Sequence, residues 1–282
     1  MSNTIYPSIW CNNNASEMAE FYAGIFPDTK ITDTNPVVVM LEISGQKIML
    51  LNGGDMFCPN PSISLMYLTT SQGEVESLYS KLIVNGKALM PLDGYPFSPR
   101  YGWVEDRYGV SWQLYTGQAE HIIQKVVPTL MFAGRNNGKA EEAVGFYTSL
   151  FPDSRPRGML RYTGADGETS GNIQHGEFML NGYLLMIMDS SYPHSYGFTE
   201  GLSLVVLCDD QEEIDMHWFG LISDGGEESM CGWMKDRYGV SWQIVPSMLD
   251  KLMAESPRVT EELMKMRKLD IRKLQEAARL RQ

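Results

Sequence analysis

Few side chains in this sequence combine a reactive type with a suggestive spacing. His175 and Glu177 stand two apart in Ile173–Leu180, a run of strand-forming residues, so both leave the same face. An imidazole beside a carboxylate can begin a metal site, unless that face is solvated. Gln113 shares one face of its strand with Ser111 and Tyr115, while Trp112 and Leu114 take the other. Gln243 repeats that position later in the chain. Cys231, just before Gly232-Trp233, is a nucleophile by type, but no motif ties a histidine to it, and a buried thiol is the plainer role. His121 and His194 fall in linkers and have no partner in the sequence.

The elements that must position these groups are written twice. Trp103–Leu114 reads WVEDRYGVSWQL and Trp233–Ile244 reads WMKDRYGVSWQI, identical at nine of twelve positions. Each copy has the pattern of a hairpin with a polar turn. Asp106 and Asp236 are expected to bond the turn backbone, and Gly109 and Gly239 to supply its positive φ. A turn over residues 107–110 would set Val104 opposite Gln113 and send Trp103 to the core with Trp112 and Trp242; a one-residue bulge would reverse Trp103.

Upstream, Met18, Phe21, Tyr22, Ile25 and Phe26 form one helical face ended by Pro27, and Ala143, Phe146, Tyr147, Leu150 and Phe151 repeat it before Pro152. Ser44-Gly45 and Asn181-Gly182 mark tight hairpins. Ser71 with Glu74, and Asp210 with Glu213, cap two further helices. His217 falls on the second of these where its counterpart is apolar, so packing is its expected role. Each half thus reads as βαβββ units written twice. The Gly-rich stretch 155–172 and the approach 88–100 distinguish the halves and are the segments expected to reshape a cleft. The reading is α+β, with tandem domains at 1–117 and 124–246 and a helical tail at 247–282.

With a length of 282 residues there is room for two ordinary cores. A formal charge of -12 with no basic stripe argues against nucleic acid and anionic membranes. Four scattered cysteines form no CxxC pair and fit a reducing cytoplasm. No stretch approaches the ~18 apolar residues of a membrane span.

The repeated hairpin, the helices FYAGIFPD and FYTSLFPD, and the stretch 202–242 resemble the PhnB-like family of the glyoxalase/bleomycin-resistance/dioxygenase (vicinal oxygen chelate) superfamily, many of whose members are labelled demethylubiquinone methyltransferase-like. The resemblance covers residues 5–246. It implies paired βαβββ modules curling around a cleft in each domain. Metal-dependent members take ligands from four strands. The corresponding positions fall near Pro7 and Pro128, within 47–51 and 183–188, near Ser64 and Ser203, and at Gln113 and Gln243. One neutral amide and a serine per half do not make a divalent site, so no metal and no cofactor are expected.

The expected function is binding of a small organic molecule in a metal-free cleft. Trp10, Met49, Ser64, Arg100 and Gln113 would line one cleft, Ser203 and Gln243 the other. Three alternatives stay open: a glyoxalase- or dioxygenase-type enzyme with an atypical metal site, a methyltransferase as the family label suggests, and a module that dimerises through exposed sheet edges. The methyltransferase reading lacks its glycine-rich strand-turn-helix, since neither Gly53-Gly54 nor Gly225-Gly226 sits in such a unit.

Overall fold

The computed structural model describes residues 4–165 and 167–279. The chain writes one βαβββ unit four times. The first comprises β1 (Ile5–Cys11), α1 (Ala15–Ile25), β2 (Thr29–Thr34), β3 (Val38–Ile43) and β4 (Gln46–Asn52). The second comprises β5 (Ile63–Thr69), α2 (Gln72–Leu82), β6 (Lys87–Tyr95), β7 (Ser98–Glu105) and β8 (Ser111–Thr116). In the third are β9 (Val126–Ala133), α3 (Ala140–Leu150), β10 (Arg155–Arg161), β11 (Ile173–Leu180) and β12 (Tyr183–Ser190). The fourth has β13 (Leu202–Cys208), α4 (Gln211–Leu221), β14 (Glu227–Glu228), β15 (Trp233–Lys235) and β16 (Ser241–Pro246).

Local chemistry behaves as the residues dictate. Ser44 and Gly45 both take positive φ, as do Asn181 and Gly182, the geometry a two-residue hairpin needs to match strand twist. Ser71 and Asp210 accept hydrogen bonds from the backbone N–H of Glu74 and Glu213. The stretches 88–100 and 155–172, which distinguish the halves, supply β6 with the start of β7, and β10. Both pairings carry register shifts, at Ala88/Met90 and Pro156/Gly158 among others. Such bulges break the period-two alternation that announces a strand.

Sheet A runs β14-β15-β16-β13-β1-β4-β3-β2 and sheet B runs β10-β11-β12-β9-β5-β8-β7-β6. The first unit therefore shares a sheet with the fourth, and the second with the third. Both seams are antiparallel, with Ser8 opposite Ser203 and Ser64 opposite Thr129. This corrects the expectation of one cleft per sequence half: each half contributes one unit to each sheet.

The reason lies in the helix layer. Tyr22 of α1 lies in sheet A's unit, yet its hydroxyl donates to Asp106 in the β7–β8 turn of sheet B at 2.7 Å, and its ring meets Trp112 at 5.3 Å. Tyr147 of α3 repeats this with Asp236 at 2.7 Å and Trp242 at 5.5 Å. One continuous core, including Tyr22, Trp112, Tyr147 and Trp242, spans both sheets on their helix sides. Units of one half are thus packed back to back by helix and hairpin, which leaves their strand edges to be satisfied by the other half. The opposite face of each sheet remains for a cleft.

Beyond Pro246, α5 (Leu249–Glu255), α6 (Pro257–Leu263) and α7 (Ile271–Arg279) form their own cluster around Leu252, Val259 and Leu274. The tail is tied back by Cys231 N–H to the Met266 carbonyl at 2.7 Å and by a Lys268–Asp215 ion pair. Among the described residues no helix is long and apolar enough to cross a membrane.

Candidate ligand-binding cleft

Strand register lays one row of side chains across the open face of sheet B. Glu177 stands opposite Met186, Met186 beside Thr129, and Thr129 opposite Ser64. One step along β5, Met66 lies beside Gln113, which faces Trp103, which faces Met90. Alternation puts Val126, Leu130 and Phe132 into the core behind this row. Above the row opens a cavity of about 540 Å³, walled by Phe97, Tyr101, Trp103, Tyr115 and several methionines. Its size falls within the range of small-molecule sites.

The floor is neutral and polar. Gln113 Nε2 donates to Ser64 Oγ at 2.7 Å, and Gln113 Oε1 accepts from Tyr101 Oη at 2.8 Å. Burial pushes the Tyr101 phenol well above its ordinary pKa, so it stays a proton donor. Thr129 also lines the cavity, and its Oγ1 is buried with no protein partner. An unpaired buried hydroxyl costs about 1–3 kcal/mol. Gln113 itself keeps one amide N–H and one oxygen lone pair uncommitted.

Charge is confined to the β10–β11 wall. Glu177 stands 3.5 Å from His175 Nε2 and 3.4 Å from Arg157 Nε. His175 above all, with Arg157 and His121 adding to it, holds the Glu177 carboxyl below the ordinary carboxylate range. The face carrying His175 and Glu177 is therefore the cleft wall, not plain solvent. His121, which the sequence left without a partner, lines the same cavity. Its neighbours come from a strand more than fifty residues away, a proximity no local pattern signals.

Sheet A repeats the floor with different contents. Met40, Met49, Ser8 and Ser203 form its row, and Val205, Gln243 and Trp233 continue it. Gln243 Nε2 donates to Ser203 Oγ at 3.0 Å, the counterpart of the Gln113–Ser64 bond. Met40 stands where sheet B has Glu177. Trp10 occupies the place of Met131 and packs edge-on against Phe57 at 5.0 Å and Trp233 at 5.9 Å, its Nε1–H donating to the Gly54 carbonyl. The cavity beside Trp233 measures only about 130 Å³ and is lined by neither Ser203 nor Gln243.

A family model described as 3-demethylubiquinone-9 3-methyltransferase matches residues 3–115 and 124–245. The chain belongs to that family. A putative 3-demethylubiquinone-9 3-methyltransferase, a PhnB protein from Bacillus cereus, is 40% identical over 44% of this chain and 100% of its own, with a TM-score of 0.40. Glyoxalase I from Zea mays superposes with a TM-score of 0.60 at 11% identity, covering 89% of this chain and 95% of its own. At that identity the likeness shows the fold, which is the tandem glyoxalase-like α+β fold. No curated protein matches the sequence.

This family member redistributes the residues singled out from sequence. Ser64 and Gln113 meet in sheet B, where Gln113 lines the cavity and Ser64 does not, whereas Trp10 and Met49 join Ser203 and Gln243 in sheet A, because the sheets pair across halves. Arg100 is corrected out of the cleft: it alternates with Tyr101 and Trp103 and pairs with Glu76 of α2 at 2.8 Å on the helix side. Trp103 moves the other way. Asp106 N–H bonds the Val110 carbonyl, so Trp103 rather than Val104 faces Gln113 and enters the cavity. Its Nε1–H donates to Ser111 Oγ at 2.7 Å. The first-strand position expected near Pro128 is held by Thr129, because the register turns Pro128 to the core side and Thr129 to the cleft.

The superfamily's divalent metal does not fit these positions. In sheet B they hold Thr129, Met186, Ser64 and Gln113, and in sheet A Ser8, Met49, Ser203 and Gln243. Two neutral hydroxyls, a thioether and an amide already bonded on both of its ends in sheet B give no anionic or imidazole donor. Among the described residues no three His, Cys, Asp or Glu side chains converge to hold a metal ion.

Proposed function

We propose that this protein binds one small organic molecule in the sheet B cleft without a metal ion. The observation that carries this reading is the cavity of about 540 Å³ over a polar floor that is only partly satisfied, with aromatic walls on the β6–β7 side. Aromatic side chains offer large contact area at small entropic cost, and convergent polar groups fix orientation. The family description names a methyltransferase acting on a demethylated ubiquinone. A ring-shaped ligand of that kind suits the cleft walls, but the methyl-transfer step finds no support in this chain. Gly53 and Gly54 follow β4 and lead to β5 rather than to a helix, and Gly225 and Gly226 follow α4. Neither pair makes the strand-turn-helix cradle a nucleotide-like methyl donor would use.

The test is native mass spectrometry of freshly purified protein, followed by isothermal titration with the molecule recovered. A single organic adduct, displaced in a Trp103→Ala variant that remains folded, is the expected result. A protein that carries stoichiometric metal and turns over a glyoxalase-type substrate would defeat the reading.

A further inference from the structure

The chemistry of the cleft narrows what can enter it. Thr129 and Gln113, the buried polar residues of its floor, are uncharged, and burial keeps the Tyr101 phenol protonated. A charged group placed among them would be desolvated beside neutral partners only, which is the costliest form of burial. The nearest charges, Arg157 and Glu177, face each other on the β10–β11 wall at 3.4 Å. An anion would have to take Arg157 from Glu177, and a cation would have to take Glu177 from Arg157 and His175. A neutral head disturbs neither.

The floor also states what that head must offer. Thr129 is 2% exposed and lines the cavity, and its Oγ1 bonds nothing in the protein. A hydroxyl both donates and accepts, and Gln113 nearby keeps one donor and one acceptor site. Phe97, Tyr101, Trp103 and Tyr115 present ring faces and edges above this point. In sheet A a ring, Trp10, packs against Trp233, the counterpart of Trp103, with its polar edge satisfied by a backbone carbonyl.

Building on the binding reading above, we infer that the sheet B cleft selects uncharged ring molecules that carry a hydroxyl or carbonyl group, inserted head-first so that this group bonds Thr129 and Gln113. Further polar substituents lie at the Arg157–Glu177 wall. The ring stands against Trp103 and Tyr101.

A matched set of bicyclic probes tests this on the full-length protein: 2-naphthol, naphthalene, 2-naphthoate and 2-naphthylmethylammonium, each titrated at pH 7 with tryptophan fluorescence and calorimetry. The expected order places 2-naphthol about tenfold or more tighter than both charged probes and than naphthalene. Thr129→Val is nearly isosteric, so its fold is checked by circular dichroism and its melting point. It should weaken 2-naphthol about tenfold while leaving naphthalene unchanged. If a charged probe binds as tightly as 2-naphthol, or if Thr129→Val lowers both neutral probes alike, the inference fails while cleft binding stands. If none of the four binds the inference fails, and if native mass spectrometry also finds no retained organic molecule the binding reading falls with it.

Discussion

The phenol of Tyr22 donates to the carboxylate of Asp106 across 2.7 Å and 84 positions of sequence, and thereby fastens a helix of one sheet to the closing hairpin of the other. Asp106 also accepts from Trp112 Nε1–H at 3.1 Å and from the backbone N–H groups of Tyr108 and Val110 at 2.9 and 3.1 Å. Burial raises the carboxyl above its ordinary pKa, and these four donors offset that cost.

Replacing the acceptor should therefore be severe. Asp106→Asn turns an amide N–H₂ toward groups that themselves donate, and about 3 kcal/mol of stability should be lost in urea denaturation. Tyr22→Phe should lose about 1–2 kcal/mol alone and much less in the Asp106→Asn background. Additive losses would mean the two residues do not act through each other.

His217 gives a pH signature. Its ring stacks on Phe151 at 4.4 Å, Nδ1 lacks a partner, and burial lowers its pKa from 6.5 to about 4. The unfolded chain takes up the proton first, so stability is lost as pH falls from about 6.5 toward 4, by up to about 3 kcal/mol. His217→Leu, the residue at the matching position of α2, Leu78, should be as stable as the parent at pH 7 and should lack this portion of the acid-side loss. Equal pH 7 to pH 4 losses in both proteins would refute the assignment.

The two glutamines should separate binding from structure. Gln113→Leu leaves Tyr101 Oη without its acceptor and Ser64 without its donor, and should cost about 1–3 kcal/mol together with ligand binding. Gln243→Leu removes the bond to Ser203 and should cost about 1 kcal/mol while binding in sheet B persists. Calorimetric stoichiometry of one ligand per chain belongs to the same prediction; two would show that the Trp10 side also opens.

Gly53 is fixed by Trp10. A Cβ at residue 53 would stand 2.1 Å from Trp10 Cε2, inside the indole. Gly53→Ala should lose about 2 kcal/mol or more through overpacking, and Trp10→Leu should relieve much of that loss in the double variant. A Gly53→Ala protein with an unchanged melting temperature would show that Trp10 moves freely.

A half chain should not remain single. Residues 1–117 alone would expose β1, which pairs with β13, and β5, which pairs with β9. Open edges of this length recruit another copy. Light scattering of the soluble fragment should give a dimer, and a folded monomer would contradict the pairing described for the full chain.

Much of the local structure was legible in the residues themselves. The helix faces of Tyr22 and Tyr147, the positive-φ hairpins at Ser44-Gly45 and Asn181-Gly182, the caps at Ser71 and Asp210 and the Asp106 turn follow from short-range sterics and hydrogen bonding, which a sequence encodes within a few residues. The resemblance carried by the repeated hairpin gave the fold as well. Tertiary structure decided what lies beyond that range. Strand edges are chemically alike, so nothing local tells β5 to pair with β9 instead of β1. One residue of register sent Trp103 into the cleft and Pro128 out of it in favour of Thr129. Only the pairing across halves brought Gln113, Thr129 and Glu177 to one cavity, while the bulk of Trp10 gave the matching floor of sheet A a different surrounding.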